Sequence, residues 1–198
     1  MIEALRGWTS RQKHVVAASY LGWTLDAMDF FLLVFVFKEI AAEFNTTVGT
    51  VALATTLTLG LAVWPKLYLL HVGDSRAYQF RQGHLTQLTK DQTMAQALVD
   101  AGALKEADLV RSPLRNILSS AIGGTSQPVV THHDLQAGDV IMLCSDGLTK
   151  HVTDAQIEAR FREMTSSEQV CRQLVDDALE GGGSDNVTVL ISRTVFSD

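Results

Sequence analysis

The sequence predicts an α+β fold in which antiparallel sheets are combined with flanking helices. Short apolar segments follow one another over residues 55–88, and turn residues such as Gln82-Gly83 separate them. Two amphipathic helices with capping signals follow one another between residues 153 and 180, and an apolar run lies at 187–193. Because hairpin turns join antiparallel strands directly, successive hairpins followed by paired helices indicate antiparallel sheets.

Composition divides the chain into two parts. The 198 residues carry a formal net charge of −6, so no basic surface suggests nucleic-acid binding. Charged residues are sparse before about Pro65 and common after it, and we place the domain boundary between residues 1–52 and 53–198. Cys144 and Cys171 lie in apolar patterns without metal-ligand spacing, which predicts reduced core thiols in a cytoplasmic protein.

The first part contains a long apolar segment, residues 14–37, which as a helix would be roughly 36 Å long and could cross a bilayer. Asp26 and Asp29 interrupt it and share one helix face. Two interpretations stay open: a membrane helix sheltered by partner helices, or an amphipathic soluble or interfacial helix with hydrated aspartates. The run at 25–31 resembles the first helix of a major facilitator superfamily transporter, although residues 1–52 supply too few spanning helices for a transporter.

The second part begins near Ala54 with a series of predicted strands. Residues 48–63 are uncharged and could form a short second membrane helix, but large and small side chains alternate strictly from Thr56 to Val63, which is the strand period. We therefore predict a hairpin here, with Pro65 at its turn. The predicted strands are 55–63, 67–72, 75–81, 84–88, 129–135, 139–145 and 187–193.

Three helices are predicted from capping signals, in which a Ser or Thr N-cap is followed three residues later by Gln. Glycine ends the first helix at Gly102 and the third at 181–183, and the second helix runs to about Met164. Residues 103–128 are loop-like, with a break at Gly123-Gly124. The capping pairs are Thr93 with Gln96, Thr153 with Gln156, and Ser166 with Gln169.

Three aspartates stand at the ends of predicted strands. Asp146 follows the apolar run 140–143, Asp185 precedes another apolar run, and Asp74 lies at a strand-turn-strand junction. Carboxylates grouped in this way suit hard, oxygen-preferring cations. Arg76 could pair with Asp74 or reach a phosphate group. Asp-Gly and Ser-Asp-Asn are also common turn sequences, so each aspartate alone is compatible with a turn residue that has no chemical role.

The order of four motifs along the chain is more specific than any one of them. They are Val-Gly-Asp-Ser-Arg at 72–76, Leu-Thr-Lys-Asp at 88–91, Ser-Asp-Gly-Leu at 145–148 and Gly-Ser-Asp-Asn-Val-Thr-Val at 183–189. This order resembles the C-terminal half to two-thirds of a PPM-type (type 2C), metal-dependent Ser/Thr protein phosphatase in its bacterial form, over about residues 54–195. The resemblance implies a partial α-β-β-α sandwich of antiparallel sheets and two or three manganese or magnesium ions.

The same resemblance assigns expected roles to individual residues. Asp146 and Asp185 match metal-binding aspartates of the binuclear centre, and Asp74 is the candidate for a third, more loosely held metal. Asp91 matches the aspartate of an Asp-His pair, in which Gln92 here replaces the histidine. The residues expected to support the turns that present these acids are Ser75, Arg76, Gly147 and Asn186.

Two further motifs of that family are not found in the first 64 residues. One is an R-x-x-N-E-D run whose arginine holds the substrate phosphate, and the other is a D-G-x-G-G-H run with a metal aspartate and an acid histidine. No catalytic residue is therefore identified. We expect an N-terminally incomplete phosphatase for phosphoproteins or phosphopeptides, with low or no activity alone and with an open edge or exposed face on its sheets.

Two other interpretations of the whole chain stay open. The phosphatase-like part could be a non-catalytic binding module that residues 14–37 tether to a membrane. The chain could also be a recombined gene product without a function of its own. The expected location is the cytoplasm, with membrane association through residues 14–37 as the alternative.

Overall fold

A computed structural model describes residues 56–122 and 127–195 of the chain. They form seven strands, four α-helices and a 3₁₀-helix at Glu106–Arg111. The predicted helix at 14–37, the domain boundary after residue 52 and the Gly123-Gly124 break lie outside these residues. The strands and helices, in chain order, are β1 (Leu57–Val63), β2 (Lys66–Val72), β3 (Arg76–Arg81), β4 (His84–Gln87), α1 (Met94–Asp100), β5 (Val129–Asp134), β6 (Val140–Cys144), α2 (Asp146–Thr149), α3 (Asp154–Arg162), α4 (Ser167–Glu180) and β7 (Val189–Arg193).

The strands form two antiparallel sheets, as the hairpin pattern predicts. The small sheet has the order β1-β2-β5, and the large sheet has the order β4-β3-β6-β7. The predicted β1–β2 hairpin is present, and its register pairs Leu59 with Leu70 and Leu61 with Tyr68. In the large sheet Cys144, at the end of β6, lies opposite Val189, at the start of β7. This pairing brings the segments on either side of the two strands together at one edge of the sheet.

Two apolar layers hold the sheets and helices together. The first lies between the two sheets, where buried residues such as Leu69 and Ile141 pack together. The second lies between the large sheet and helices α3 and α4, and the stacked rings of Phe80 and Phe161, with centroids 5.3 Å apart, lie in it. The fully buried residues of this second layer are Tyr78, Met142, Leu148, Ile157, Val170, Leu174 and Ala178.

The opposite face of the small sheet is exposed and apolar. Alternation along β1 directs its four large side chains to this face, beside Tyr68 of β2 and Val130 of β5. Leu61 is 56% exposed and Val130 is 69% exposed.

The predicted caps form, with differences in the partners of the glutamines. Thr153 makes a full capping box with Gln156 at the start of α3. At the starts of α1 and α4 the threonine and serine N-caps accept the backbone bonds. The glutamine of α1 instead donates to Asp100, and Gln169 of α4 accepts a bond from the backbone of Thr165. A glutamine that reaches another side chain or the residue before the N-cap leaves the capping box incomplete.

Several boundaries differ from the predictions for local reasons. Strand β7 begins at Val189 rather than at residue 187, because Thr188 donates its N–H to the Ser145 side chain instead of to the ladder. Helix α3 ends at Arg162, two residues early. Asp146 does not sit in a simple turn, because it is the first residue of the one-turn helix α2. Among the described residues no helix is long and apolar enough to span a bilayer.

Candidate metal centre

The paired strands β6 and β7 bring two of the predicted aspartates together. Asp146 is the first residue of α2 and is separated from β6 by Ser145 alone, and Asp185 lies in the loop that leads into β7. Because β6 and β7 run antiparallel, the end of one lies beside the start of the other. Two residues 39 positions apart in the chain thus reach one another at the edge of the large sheet.

A lysine that the sequence analysis did not single out joins these two aspartates. The Nζ atom of Lys150 lies 2.5 Å from Oδ2 of Asp146 and 2.6 Å from Oδ2 of Asp185. Burial lowers the pKa of Lys150, but the hydrogen bonds to both carboxylates outweigh burial and raise the pKa. The hydrogen bond from Lys150 is also the main reason why the pKa of Asp185 is lowered. Lys150 is therefore a charged ammonium that bridges the side chains of Asp146 and Asp185.

Close backbone contacts fix this pair in place. A Cβ atom added at Gly147 would lie 2.3 Å from the carbonyl oxygen of Asn186, so only glycine allows α2 to approach this loop. Ser145 reinforces the contact, because its hydroxyl donates to the Asn186 carbonyl at 3.1 Å and accepts the N–H of Thr188 at 3.0 Å. The N–H of Asn186 donates to Asp185 Oδ1 at 2.8 Å. Gly147 and Asn186 thus both lie at the contact between α2 and the loop that carries Asp185.

Asp74 lies in the loop between β2 and β3, on the wall of a pocket that it shares with Asp146 and Lys150. Burial, together with the charges of Asp146 and Asp91, raises the pKa of Asp74 to about 6. The lysine opposes this rise. The charge of Asp146 therefore contributes to the raised pKa of Asp74.

The turn that carries Asp74 is anchored by its neighbours. Gly73 has a φ of +106°, and a Cβ atom there would lie 2.4 Å from a side-chain carbon of Thr56. The Ser75 hydroxyl lies 2.8 Å from the Thr56 hydroxyl. The side-chain oxygen of Gln92 accepts a hydrogen bond from the Gly73 N–H at 2.9 Å. The backbone N–H of Gln92 donates to the Gly73 carbonyl oxygen at 2.8 Å. The glutamine at the position of the expected histidine therefore has a structural role at this turn.

Arg76 pairs with Asp91 rather than with Asp74, which was one of the two partners that the sequence leaves open. Its Nε and Nη2 atoms donate to the Asp91 carboxylate at 2.9 and 2.7 Å, in a bidentate arrangement. Its Nη1 donates to the hydroxyl of the buried Tyr78 at 2.9 Å, and that hydroxyl donates to Asp154 at 2.9 Å. Burial lowers the pKa of Arg76, but the bonds to Asp91 and Tyr78 outweigh it and raise the pKa. The Arg76 guanidinium is therefore bound to Asp91 and Tyr78, and it also lines the pocket beside Asp74 and Asp146.

The pocket beside these groups has a volume of about 970 Å³ and is lined by both acidic and basic side chains. Its charged lining residues include Asp74, Asp146, Lys150, Asp154 and Arg115. A pocket of this size, with mixed charge, can accept a polar ligand larger than a single ion.

The described residues do not form a ready metal site. Within residues 56–122 and 127–195, no group of three or more His, Cys, Asp or Glu side chains could hold a metal ion. Asp146 and Asp185 have the oxygen donors that manganese or magnesium prefers, but both donors are already bound to an ammonium group. With Lys150 between them, Asp146 and Asp185 do not form the expected two-metal centre.

Comparison with known proteins identifies the family. Residues 67–195 match the family described as Stage II sporulation protein E (SpoIIE), which is well over half of the chain. The chain belongs to the SpoIIE-like, PPM-type phosphatase family. The predicted resemblance to this family is therefore confirmed, while the transporter resemblance of the first 50 residues finds no support.

The chain matches only part of the length of related phosphatases. The serine/threonine protein phosphatase PstP of Mycobacterium tuberculosis is 39% identical over 162 residues, which are 81% of this chain and 31% of PstP. The serine/threonine phosphatase stp of Listeria innocua is 30% identical over 78% of this chain and 62% of its own length. The chain thus spans about a third to three-fifths of the length of these relatives.

Solved structures agree with the PPM fold. The crystal structure of M. tuberculosis PstP is 39% identical in sequence and has a TM-score of 0.68, and the match covers 71% of this chain and 60% of the PstP chain in that crystal structure. The catalytic domain of PstP has also been solved in complex with two manganese ions, with 38% sequence identity to this chain. The α+β fold with antiparallel sheets is confirmed.

Proposed function

We propose that the described residues form the C-terminal part of a protein serine/threonine phosphatase domain, which acts on phosphoserine and phosphothreonine in phosphoproteins. The observation that carries the proposal is the meeting of Asp146 and Asp185 across β6 and β7, beside a pocket large enough for a phosphorylated side chain. Manganese or magnesium, the ions expected for this family, would supply the charge and the activated water of such a reaction.

The site as described is poorly equipped for turnover by the chain alone. A phosphate group needs cationic partners, but Arg76 is held by Asp91 and Lys150 is held by two aspartates. The R-x-x-N-E-D and D-G-x-G-G-H runs expected to supply a phosphate-binding arginine, a metal aspartate and an acid histidine are not present in the sequence. We therefore expect weak, metal-dependent phosphatase activity at most.

Hydrolysis of p-nitrophenyl phosphate and of a phosphothreonine peptide, with manganese or magnesium, tests the proposal. Any turnover of the full chain should be weak, should need the metal, and should be lost in Asp146→Ala. Asp176→Ala is the matched control, because Asp176 is an exposed aspartate on α4. Its turnover should equal that of the wild type.

Two outcomes would contradict the proposal. Turnover that survives both EDTA and Asp146→Ala would show that the Asp146–Asp185 junction is not the phosphatase site. Robust turnover that Asp146→Ala abolishes would confirm the site but overturn the claim that the chain alone is poorly active.

A further inference from the structure

The contact of Lys150 with both aspartates has the geometry of a cation site. The two carboxylate oxygens lie within 2.6 Å of one Nζ atom, so they are no more than about 5 Å apart. Calcium binds carboxylate oxygens at about 2.3–2.6 Å and magnesium at about 2.0–2.1 Å. An ion held by Asp146 and Asp185 would therefore occupy the same space as the ammonium group, and the two cannot be present together.

Backbone hydrogen bonds fix the position of Lys150. Lys150 follows α2 directly, its N–H donates to the Asp146 carbonyl at 2.9 Å, and its side chain is only 22% exposed. The next residue, His151, fixes the facing loop, because its ring nitrogens lie 2.9 Å from the Gly181 carbonyl oxygen and 2.8 Å from the Ser184 hydroxyl. Both sides of the site are thus held at the distance that suits the ammonium.

The positive charge of Lys150 offsets the negative charges of Asp146 and Asp185. Two carboxylates this close repel each other unless a positive charge lies between them. The ammonium supplies one positive charge from within the chain, and a divalent ion must displace it to bind both acids. Displacement leaves a partly buried ammonium without its partners, which opposes metal binding.

We infer that Lys150 substitutes for a divalent cation between Asp146 and Asp185 and keeps the metal affinity of this chain low. The inference rests on the proposed function only in taking these two aspartates as the metal-binding acids of the family. Lys150 then lowers the metal affinity of the two aspartates, a role that the sequence motifs around them do not reveal.

Manganese binding by the purified full chain tests this inference without any measurement of hydrolysis. Manganese chloride alone is the probe, binding is followed by the electron paramagnetic resonance of free Mn²⁺, and melting temperature is measured in EDTA and in manganese. Lys150→Met should melt at a lower temperature than wild type in EDTA. It should bind manganese at least about tenfold more tightly, which corresponds to about 1.4 kcal/mol.

Controls separate this effect from a general loss of charge or of stability. Lys66→Met removes another lysine paired with an aspartate, Asp134, but on the small sheet, and its manganese affinity should equal that of the wild type. Lys150→Gln keeps a neutral donor of similar length and should also bind manganese more tightly than the wild type, which guards against poor folding of the methionine variant. Addition of Asp185→Asn to Lys150→Met should abolish the gain.

The inference is overturned if Lys150→Met and Lys150→Gln bind manganese no more tightly than the wild type. It is equally overturned if the gain survives Asp185→Asn, because the ion would then bind elsewhere. A phosphatase assay that fails while these binding results hold would count against the proposed function alone.

Discussion

Replacement of Gly147 by alanine should push α2 away from the loop that carries Asp185 and Asn186. The added Cβ would lie 2.3 Å from the Asn186 carbonyl oxygen and 2.9 Å from its carbonyl carbon. Both neighbours are backbone atoms, so no side chain can rotate away, and either α2 or the loop that carries Asp185 must move. Overpacking of this kind costs about 1–3 kcal/mol. Alanine recovers about 0.5–1 kcal/mol relative to glycine within a helix.

The midpoints of these two ranges leave a net loss of about 1.3 kcal/mol in the free energy of unfolding, or a fall in melting temperature of about 3–5 °C for a chain of this size. Urea denaturation followed by circular dichroism measures it. Gly60→Ala is the matched control, because a Cβ there meets only the side chains of Leu69 and Leu67, at 3.5 and 3.6 Å. Gly60→Ala should be neutral or slightly stabilising. A Gly147→Ala chain as stable as the wild type would refute the close approach of α2 and the loop.

Three further predictions concern the stability of the fold. Asp139 is 1% exposed. Burial raises the pKa of this carboxyl, but the hydrogen bonds from Arg81 and from the Gln136 N–H outweigh burial and lower the pKa. Asp139→Asn should therefore lower the free energy of unfolding by about 2 kcal/mol at pH 7. Because the pKa of Asp139 is lower in the folded than in the unfolded chain, the stability difference between wild type and Asp139→Asn should be complete above about pH 4 and should vanish as the pH falls further. A stability difference in urea unfolding that does not change with pH would contradict this prediction. Thr153→Ala removes the N-cap of α3 and should cost about 1 kcal/mol in urea unfolding, whereas Thr153→Ser should cost little. Leu174→Ala should lower the unfolding free energy by about 2–5 kcal/mol, because Leu174 is fully buried between α4 and the large sheet, and a loss below 1 kcal/mol would contradict that packing.

Local patterns in the sequence predict the elements of this fold well. Strict alternation before Pro65 indicates the first hairpin, and its register follows because a shift of one residue would exchange the two faces of β1. Thr153 with Gln156 marks the start of α3 because a cap depends on residues only three positions apart. The aspartates at 146 and 185 could be singled out because each adjoins an apolar strand.

Contacts between distant residues could not be predicted in the same way. Nothing in the local sequence distinguishes Lys150 from an exposed lysine, since its role depends on Asp185, which reaches it only through the pairing of β6 with β7. The local sequence leaves Asp74 and a phosphate group open as partners of Arg76, but the fold places Asp91 against its guanidinium. The one-turn helix α2 also escapes prediction, because four residues are too few to show a helical period.

A double-mutant cycle between Lys150 and Asp185 tests the central claim most directly. The claim is that an ammonium group joins the aspartates at the ends of β6 and β7. Urea unfolding in EDTA should be measured for the wild type, Lys150→Met, Asp185→Asn and the double variant. The account predicts that the two residues are coupled by about 0.5–1 kcal/mol, as for a partly exposed ion pair with good geometry. Effects of the two substitutions that add within about 0.3 kcal/mol would contradict it, because additivity indicates residues that do not interact.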